Sequence, residues 1–273
     1  MAEDILVRPA PAGQIRISYG GEPAQFGDLR LPDGAGPHPV AVVLHGGYWR
    51  NRYSLDYMGH VCESLRVRGL ASWNVEYRRL GDPGGGWPGT LLDVVQALDA
   101  LRTLATTYPL DLHRVVTLGH SAGGHLAAWV AAQKGGAVAS TTFSRAHVPI
   151  CAVVSLAGVL DLYRGWELRL SDTVIESFIG GTPASQPQRF AFASPDRLLP
   201  SGVCQIAVHG TADANVPLEL SERYAHAARR AGDDVRLLTL PGSGHFEIVD
   251  PLTSEWQTIV TQMASAVPEL RLA

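Results

Sequence analysis

The stretch TLGHSAGGHLAAW (117–129) places Ser121 between Gly119 and Gly123, where an apolar run meets an alanine-rich one. RVVTLG, which ends at Gly119, predicts a short buried strand, and AGGHLAAWVAAQ, which begins at Ala122, has the alanine and leucine content of a helix. Glycine adopts backbone angles that a β-carbon forbids, so these two glycines permit a sharp reversal. The result is a G-x-S-x-G turn, which lifts a serine hydroxyl above the sheet.

A serine hydroxyl becomes a useful nucleophile only when a base lies beside it and a carboxylate holds that base in one tautomer. Asp213, in VHGTADANVP, follows an apolar strand, and His245, in LPGSGHFE, follows the last one. The order Ser121, Asp213, His245 is that of α/β-hydrolases. These three residues are therefore the predicted catalytic triad.

Asp213 and His245 each have an alternative, structural interpretation. Asp213 could instead cap the helix predicted at PLELSERYAHAARR, although Asn215 could also serve as that cap. His245 could be a histidine of a surface loop. Asp161, in GVLDLY, also follows a strand and is a rival acid, for which we favour a structural role.

His120 and His125 flank the serine without an acid nearby in sequence, and His125 is expected to pack within the helix. No H-E-x-x-H pattern or Cys/His cluster indicates a metal, and no cofactor is expected.

Composition narrows the class of protein. The 273 residues carry a formal charge of −4 and have a pI near 6.2, which argues against nucleic acid or an anionic membrane as partner. No apolar run reaches the ~20 residues of a membrane span, and the acidic N-terminus is unlike a secretory signal. Cys62, Cys151 and Cys204 are widely spaced, which suits a reducing cytoplasm better than a disulfide framework. The sequence is also compatible with a homodimer.

Strands alternate with helices in the manner of a mostly parallel sheet that has helices on both faces, and we expect one α/β domain over residues 1–273. Residues 159–200 fit this rhythm poorly and are predicted to form a small cap over the strand ends. Besides the strand and helix around Ser121, the predicted strands are 40–46, 70–78, 151–158, 203–210 and 235–242, and the predicted helices are 57–69 and 90–105.

LHGGYWRNRYS (44–54) supplies glycines that could bring a loop backbone against a developing oxyanion. Here the chain resembles α/β-hydrolase fold esterases with an HGGG-type loop, and HGGYW is similar to the HGG-x-W form of kynurenine formamidase-like (arylformamidase) enzymes. The resemblance covers nearly the whole chain. It implies an oxyanion hole formed by the backbone N–H groups of Gly47, Tyr48 and Ala122, with His45 tying down its own loop.

GDPGGGWPG (81–89) lacks the G-K-[ST] ending of a phosphate loop and is predicted to form a flexible rim. Trp49, Trp87 and Trp166 are candidate walls of a substrate pocket, although packing in the core would explain each of them equally well.

Together these features predict a serine carboxylesterase that cleaves small to medium acyl esters through an acyl-enzyme, with a small-molecule acyl group as its substrate. The alternative activity is that of an arylformamidase. A binding protein with an inactive hydrolase fold is a further alternative, disfavoured because no member of the triad is missing.

Overall fold

The computed structural model describes residues 2–133, 148–270 and 272. In these residues eight strands form one sheet, in the spatial order β1-β2-β4-β3-β5-β6-β7-β8. The strands, numbered in chain order, are Ile15–Ser18, Phe26–Arg30, His38–Leu44, Ala71–Val75, Leu110–His120, Ala152–Leu156, Cys204–Gly210 and Val235–Leu240.

β3 to β8 pair in parallel, and β1 and β2 join one edge in antiparallel pairing. The predicted mostly parallel sheet of an α/β-hydrolase fold is therefore confirmed. β1 and β2 were not predicted from the sequence, because charged residues interrupt their apolar pattern. Arg16 and Asp28 lie opposite each other there and form two hydrogen bonds of 2.8 and 2.9 Å.

The apolar residues of β3 show why helices cover both faces. Val40 and Val42 belong to one hydrophobic cluster, whereas Ala41 and Val43 belong to another on the opposite face. Successive side chains of a strand point to opposite faces, so the unbroken apolar run VAVVL requires cover on both sides. The helices, numbered α1 to α9 in the described part, are Gly59–Arg66, Gly89–Asp99, Leu101–Leu104, Ala122–Ala131, Leu162–Glu167, Val174–Ile179, Pro187–Ala193, Glu219–Arg230 and Ser254–Ala266.

Two of the predicted helices are interrupted. The helix predicted over 57–69 is a 3₁₀ turn, Asp56–Met58, followed by α1, and the helix predicted over 90–105 is divided into α2 and α3 at Ala100. None of the helices in the described ranges is both long and apolar enough to span a membrane.

Strand register places the loops that matter at one edge of the sheet. Leu44 of β3 lies beside Gly119 of β5, and Gly210 of β7 lies beside Leu240 of β8. The segments after these strands therefore emerge together at the carboxyl ends, where ligands bind in open α/β sheets.

Residues 159–200 contain α5, α6, α7 and a 3₁₀ turn, Pro195–Leu198. They contact the loops that follow β3 and β4: Phe178 stacks on Trp49 at 4.5 Å between ring centroids, and its carbonyl accepts a hydrogen bond from Trp87 N–H at 2.8 Å. This placement supports the predicted cap, which stays a prediction, as does the single domain. Met1, residues 134–147, Arg271 and Ala273 of that predicted domain lie outside the described residues.

Candidate active site

Ser121 occupies the turn between β5, which ends at His120, and α4, which begins at Ala122. Its backbone angles, φ +56° and ψ −119°, are rare for a residue other than glycine. A Cβ at Gly119 would lie 2.0 Å from the carbonyl oxygen of Gly123, and one at Gly123 would lie 2.1 Å from that of Leu44. The motif therefore needs both glycines because backbone packs directly on backbone around the serine.

Asp213 and His245 meet although 32 residues separate them: His245 Nδ1 lies 2.7 Å from Asp213 Oδ2. Burial by itself would raise the pKa of Asp213, but hydrogen bonds from His209 and His245, and from the N–H of Val216, hold it below its ordinary value. The carboxylate is therefore ionised. It keeps the proton of His245 on Nδ1 and leaves Nε2 as the ring nitrogen that can accept a proton.

Ser121 and His245 line one cleft. Within the described residues no hydrogen bond joins Ser121 Oγ to His245, and such contacts are often long before substrate binds. Tyr48, His120 and Asn215, which the sequence analysis discussed, also line this cleft. Four further residues of the lining carry no local sequence signal: Leu6, Tyr53, Tyr57 and Phe246.

The loop after β3 approaches the serine closely. A Cβ at Gly46 would lie 2.8 Å from Ser121 Cβ, and Gly47 and Tyr48 both have positive φ, +108° and +52°. In the part of the chain that the structure describes, the N–H groups of Gly47, Tyr48 and Ala122 donate to no protein acceptor. These three groups are therefore available to a substrate oxygen.

His45 holds this loop from below. Its Nδ1 lies 2.8 Å from the carbonyl oxygen of Gly46, and its Nε2 lies 2.8 Å from Glu76 Oε1. Tyr77 stacks on the imidazole at 4.4 Å and donates its hydroxyl to the carbonyl of His45 at 2.7 Å. Burial by itself would raise the pKa of Glu76, but His45 and Arg79 lower it below the usual value, so a carboxylate faces the imidazole. The arrangement agrees with the structural role expected of His45.

The predicted tryptophan walls do not line this cleft. Trp49 has no exposed surface and lies between Phe178 and His125, so its assignment to substrate binding is wrong. Trp87 packs edge-on against Phe192. Trp166 donates its Nε1–H to Glu176 at 2.7 Å. A substrate contact by Trp87 or Trp166 stays a prediction.

The rival acid has a structural role. Asp161 caps α5 by accepting a hydrogen bond from the N–H of Arg164 at 2.8 Å, and it lies 3.4 Å from Nε of Arg223. Asn215 does not cap α8, which begins at Glu219 without a side-chain cap. The alternative in which Asn215 caps this helix is therefore wrong.

His125 is fully buried, as expected, and donates Nε2–H to the carbonyl of Ala193 at 2.8 Å. Burial lowers its pKa to about 4, so it is neutral. In the described ranges no group of three or more His, Cys, Asp or Glu side chains could hold a metal ion.

GDPGGGWPG forms a packed turn before α2 rather than an open loop. A Cβ at Gly85 would lie 1.8 Å from the carbonyl oxygen of Arg79, and one at Gly89 would lie 1.8 Å from that of Gly84. The expected flexible rim is thus replaced by tight backbone packing.

Several known proteins are similar to this chain. Esterase LipC of Mycobacterium tuberculosis is 28% identical over 249 residues, which are 86% of this chain and 60% of LipC. A probable isoprenylcysteine alpha-carbonyl methylesterase of rice, Oryza sativa subsp. japonica, is 25% identical over 272 residues, which are 92% of this chain and 63% of that protein. The chain thus spans less than two thirds of the length of these relatives.

Among solved structures, the thermophilic esterase Est2 of Thermogutta terrifontis superposes with a TM-score of 0.77 at 23% identity, covering 96% of this chain and 94% of that one. At this identity the likeness shows the fold alone. The BD-FAE family model matches residues 28–227, which contain both the loop at Gly46 and the turn at Ser121. The chain therefore belongs to the BD-FAE family.

Proposed function

We propose that this protein is a serine hydrolase that cleaves neutral carboxylic esters through an acyl-enzyme. The observation that carries the proposal is the hydrogen bond of 2.7 Å between Asp213 and His245, in a cleft that also contains the strained Ser121. Two relatives whose names include esterase or methylesterase support ester hydrolysis.

In the proposed reaction Ser121 Oγ attacks the acyl carbon while its proton passes to His245 Nε2. Asp213 stabilises the imidazolium that forms. The oxyanion lies against the N–H groups of Gly47, Tyr48 and Ala122. His245 then returns the proton to the leaving alcohol, and a water molecule that His245 deprotonates releases the acid and restores Ser121.

The cleft suggests which esters would fit. In the part of the chain that the structure describes, no Asp, Glu, Lys or Arg side chain lines it, so the acyl group is expected to be uncharged. Its volume is about 40 Å³, and because one water molecule needs about 10–15 Å³ on the same measure, this small cleft favours short acyl groups.

N-formylkynurenine is a second candidate substrate, because Tyr48, Tyr53 and Phe246 line the cleft and could contact an aromatic ring. A panel of p-nitrophenyl esters from acetate to octanoate, assayed beside N-formylkynurenine, separates the two activities. We expect the highest kcat/KM for the short esters. A kcat/KM for N-formylkynurenine above that for every ester would instead identify an arylformamidase.

A fluorophosphonate tests the nucleophile, since its phosphorus needs the same activated hydroxyl and oxyanion donors. We expect one label per chain, on Ser121, and none on Ser121→Ala. Ser155→Ala is the matched control, because Ser155 is a buried serine of β6 whose hydroxyl has no partner among the described residues. An unlabelled wild-type protein would support the alternative of an inactive binding protein.

A further inference from the structure

Three hydrogen bonds beside the cleft involve Tyr57 and His120, neither of which has a part in the proposed reaction. Gly46 N–H lies 2.7 Å from Tyr57 Oη, and the same Oη lies 2.8 Å from His120 Nδ1. His120 Nε2 in turn lies 3.0 Å from the carbonyl oxygen of His245. Both side chains are at least nine-tenths buried.

The chemistry of these atoms fixes the direction of the two outer bonds. The carbonyl of His245 can only accept, so His120 carries its proton on Nε2. Because Gly46 N–H can only donate, Tyr57 Oη accepts from it and has its own hydrogen left for His120 Nδ1. With His120 neutral, Nδ1 accepts this hydrogen, and every donor in the three bonds then has an acceptor. Burial and the neighbouring His245 lower the pKa of His120 well below its usual value, which agrees with a neutral ring.

The three bonds run from the backbone of Gly46 to the backbone of His245. These two backbone segments must be aligned with Ser121 for the reaction. Gly46 precedes the loop whose N–H groups face the substrate oxygen, and the carbonyl held by His120 belongs to the proposed general base itself. His120 is also the residue directly before Ser121, and its ring lies 4.4 Å from that of His245 between centroids. The bonds therefore link the oxyanion loop, the serine turn and the histidine loop.

We propose that Tyr57 and His120 are positioning residues that hold the oxyanion loop and the backbone of His245 in register with Ser121. The proposal rests on the proposed function. It assigns a role to His120, the histidine of GHSAG, which has no acid near it in sequence. A displacement of about 1 Å between reacting groups can cost about 10²-fold in rate, so such bonds act on kcat even though neither side chain reacts.

Tyr57→Phe tests the proposal. It keeps the ring but leaves Gly46 N–H and His120 Nδ1 without their partner, and we expect kcat to fall about 10-fold to 100-fold while KM stays nearly unchanged. The rate of fluorophosphonate labelling at Ser121 should fall in parallel, because the reagent needs the same alignment.

Tyr224→Phe is the matched control. Tyr224 is equally buried and donates its hydroxyl to Gln205 at 2.6 Å, between α8 and β7 and outside the cleft. Thermal unfolding should show a comparable loss of stability in both variants, whereas kcat should fall only in Tyr57→Phe. Equal kcat values in the two variants would overturn the proposal.

His120 gives a second, independent comparison. A glutamine amide can donate to the carbonyl of His245 and accept from Tyr57, so His120→Gln should retain much more of kcat than His120→Ala. Equal losses of kcat in these two variants, both folded by circular dichroism, would contradict the positioning role even if Tyr57→Phe did not fold. A wild-type protein that fluorophosphonate does not label would refute the proposed function itself, and the positioning role with it.

Discussion

Asp213 uses each oxygen of its carboxylate for a different purpose. Oδ1 accepts hydrogen bonds from the N–H groups of Asn215 and Val216 at 2.8 and 2.9 Å, which fixes the turn after β7. Oδ2 lies 2.7 Å from His245 Nδ1 and 3.4 Å from His209 Nε2. The turn residue and the proposed catalytic acid are thus the same residue, whereas the alternative in which Asp213 caps α8 is wrong, because α8 begins without a side-chain cap.

Asp213→Asn should separate these two purposes. An asparagine retains an acceptor for the turn, but its amide can donate to His245 Nδ1 and so favour the wrong tautomer. We expect kcat for p-nitrophenyl acetate to fall by on the order of 10⁴-fold, with a far smaller change in Tm. Asp161→Asn, at the rival acid that caps α5, is the control and should leave kcat nearly unchanged. A larger loss of kcat in Asp161→Asn would mean that the acid has been misassigned.

Residues coded by a local pattern were easier to predict than residues defined by packing. The prediction that Asp213 and His245 belong to a catalytic triad rests on their positions after apolar strands. The structure brings their side chains together. The prediction that Trp49 lines a substrate pocket rests only on its aromatic side chain. Its actual position depends on Phe178, 129 residues further along the chain, and no local pattern contains that contact.

Among the elements, the N-terminal 3₁₀ turn, Ala2–Leu6, contributes to the cleft in a way that the sequence did not suggest. Leu6 forms part of the cleft wall, and Ile5 is buried in the core beside it. Arg8 fastens this segment to Asp250 with two hydrogen bonds of 2.9 and 2.7 Å. Because Asp250 lies shortly after His245 in sequence, Arg8 fastens the N-terminal segment to the segment that carries the proposed base.

Arg8→Met should loosen this wall and leave the buried Asp250 without its main partner. The hydrogen bonds from Arg8 lower the pKa of Asp250, so the stabilisation exists above the unfolded pKa and is lost as the pH falls through the folded value. We expect a loss of about 1–3 kcal/mol at pH 7, a smaller difference near pH 3, and a raised KM.

Thermal unfolding between pH 3 and 8 measures this difference. Arg16→Met is the control, because it breaks a similar bidentate pair with Asp28 at the far edge of the sheet and should leave KM unchanged. A KM that rises equally in both variants would show that Leu6 and the cleft do not depend on Arg8.

For the molecule as a whole, the central parallel strands could be predicted because continuous apolar runs have few other uses in an α/β chain. β1 and β2 could not, since Arg16 and Asp28 satisfy each other only after the two strands have paired. The walls of the cleft escaped prediction for the same reason. They combine Leu6 at one end of the chain, Tyr53 after β3 and Phe246 after β8, which only the folded sheet brings together.

The stability of the whole molecule should also depend on the protonation of Asp196. Burial, together with the nearby Asp161, raises the pKa of Asp196 to about 6, and the hydroxyl of Ser194 donates to its carboxyl. A raised folded pKa means that this group contributes its stability fully below the unfolded pKa and loses it as the pH rises through about 6. Wild-type protein therefore carries an unfavourable, partly buried charge at pH 8, even though Arg197 Nε lies 3.1 Å from this carboxylate.

Asp196→Asn removes that charge and keeps an acceptor for Ser194, so its Tm should exceed that of wild type at pH 8 and approach it near pH 4. Each 1 kcal/mol corresponds to about 2–4 °C in a chain of this size. Asp33→Asn makes the same change in net charge at a side chain that is 99% exposed, and should leave Tm unchanged. A Tm gain of the same size at pH 4 as at pH 8 would rule out titration of Asp196 as the cause.

The backbone contacts around Ser121 divide the neighbourhood of the serine into two mutational classes. A Cβ at Gly119 or Gly123 would collide with main-chain oxygen at 2.0 or 2.1 Å, and main chain cannot rotate aside as a side chain can. Leu6, Tyr53 and Phe246, by contrast, line the cleft and are not glycines, so each presents a replaceable side chain. Substitutions at these three lining residues are therefore expected to be tolerated one at a time, whereas substitutions at Gly119 and Gly123 are not. For the same reason, a library aimed at new substrates should vary the walls and leave the glycines alone.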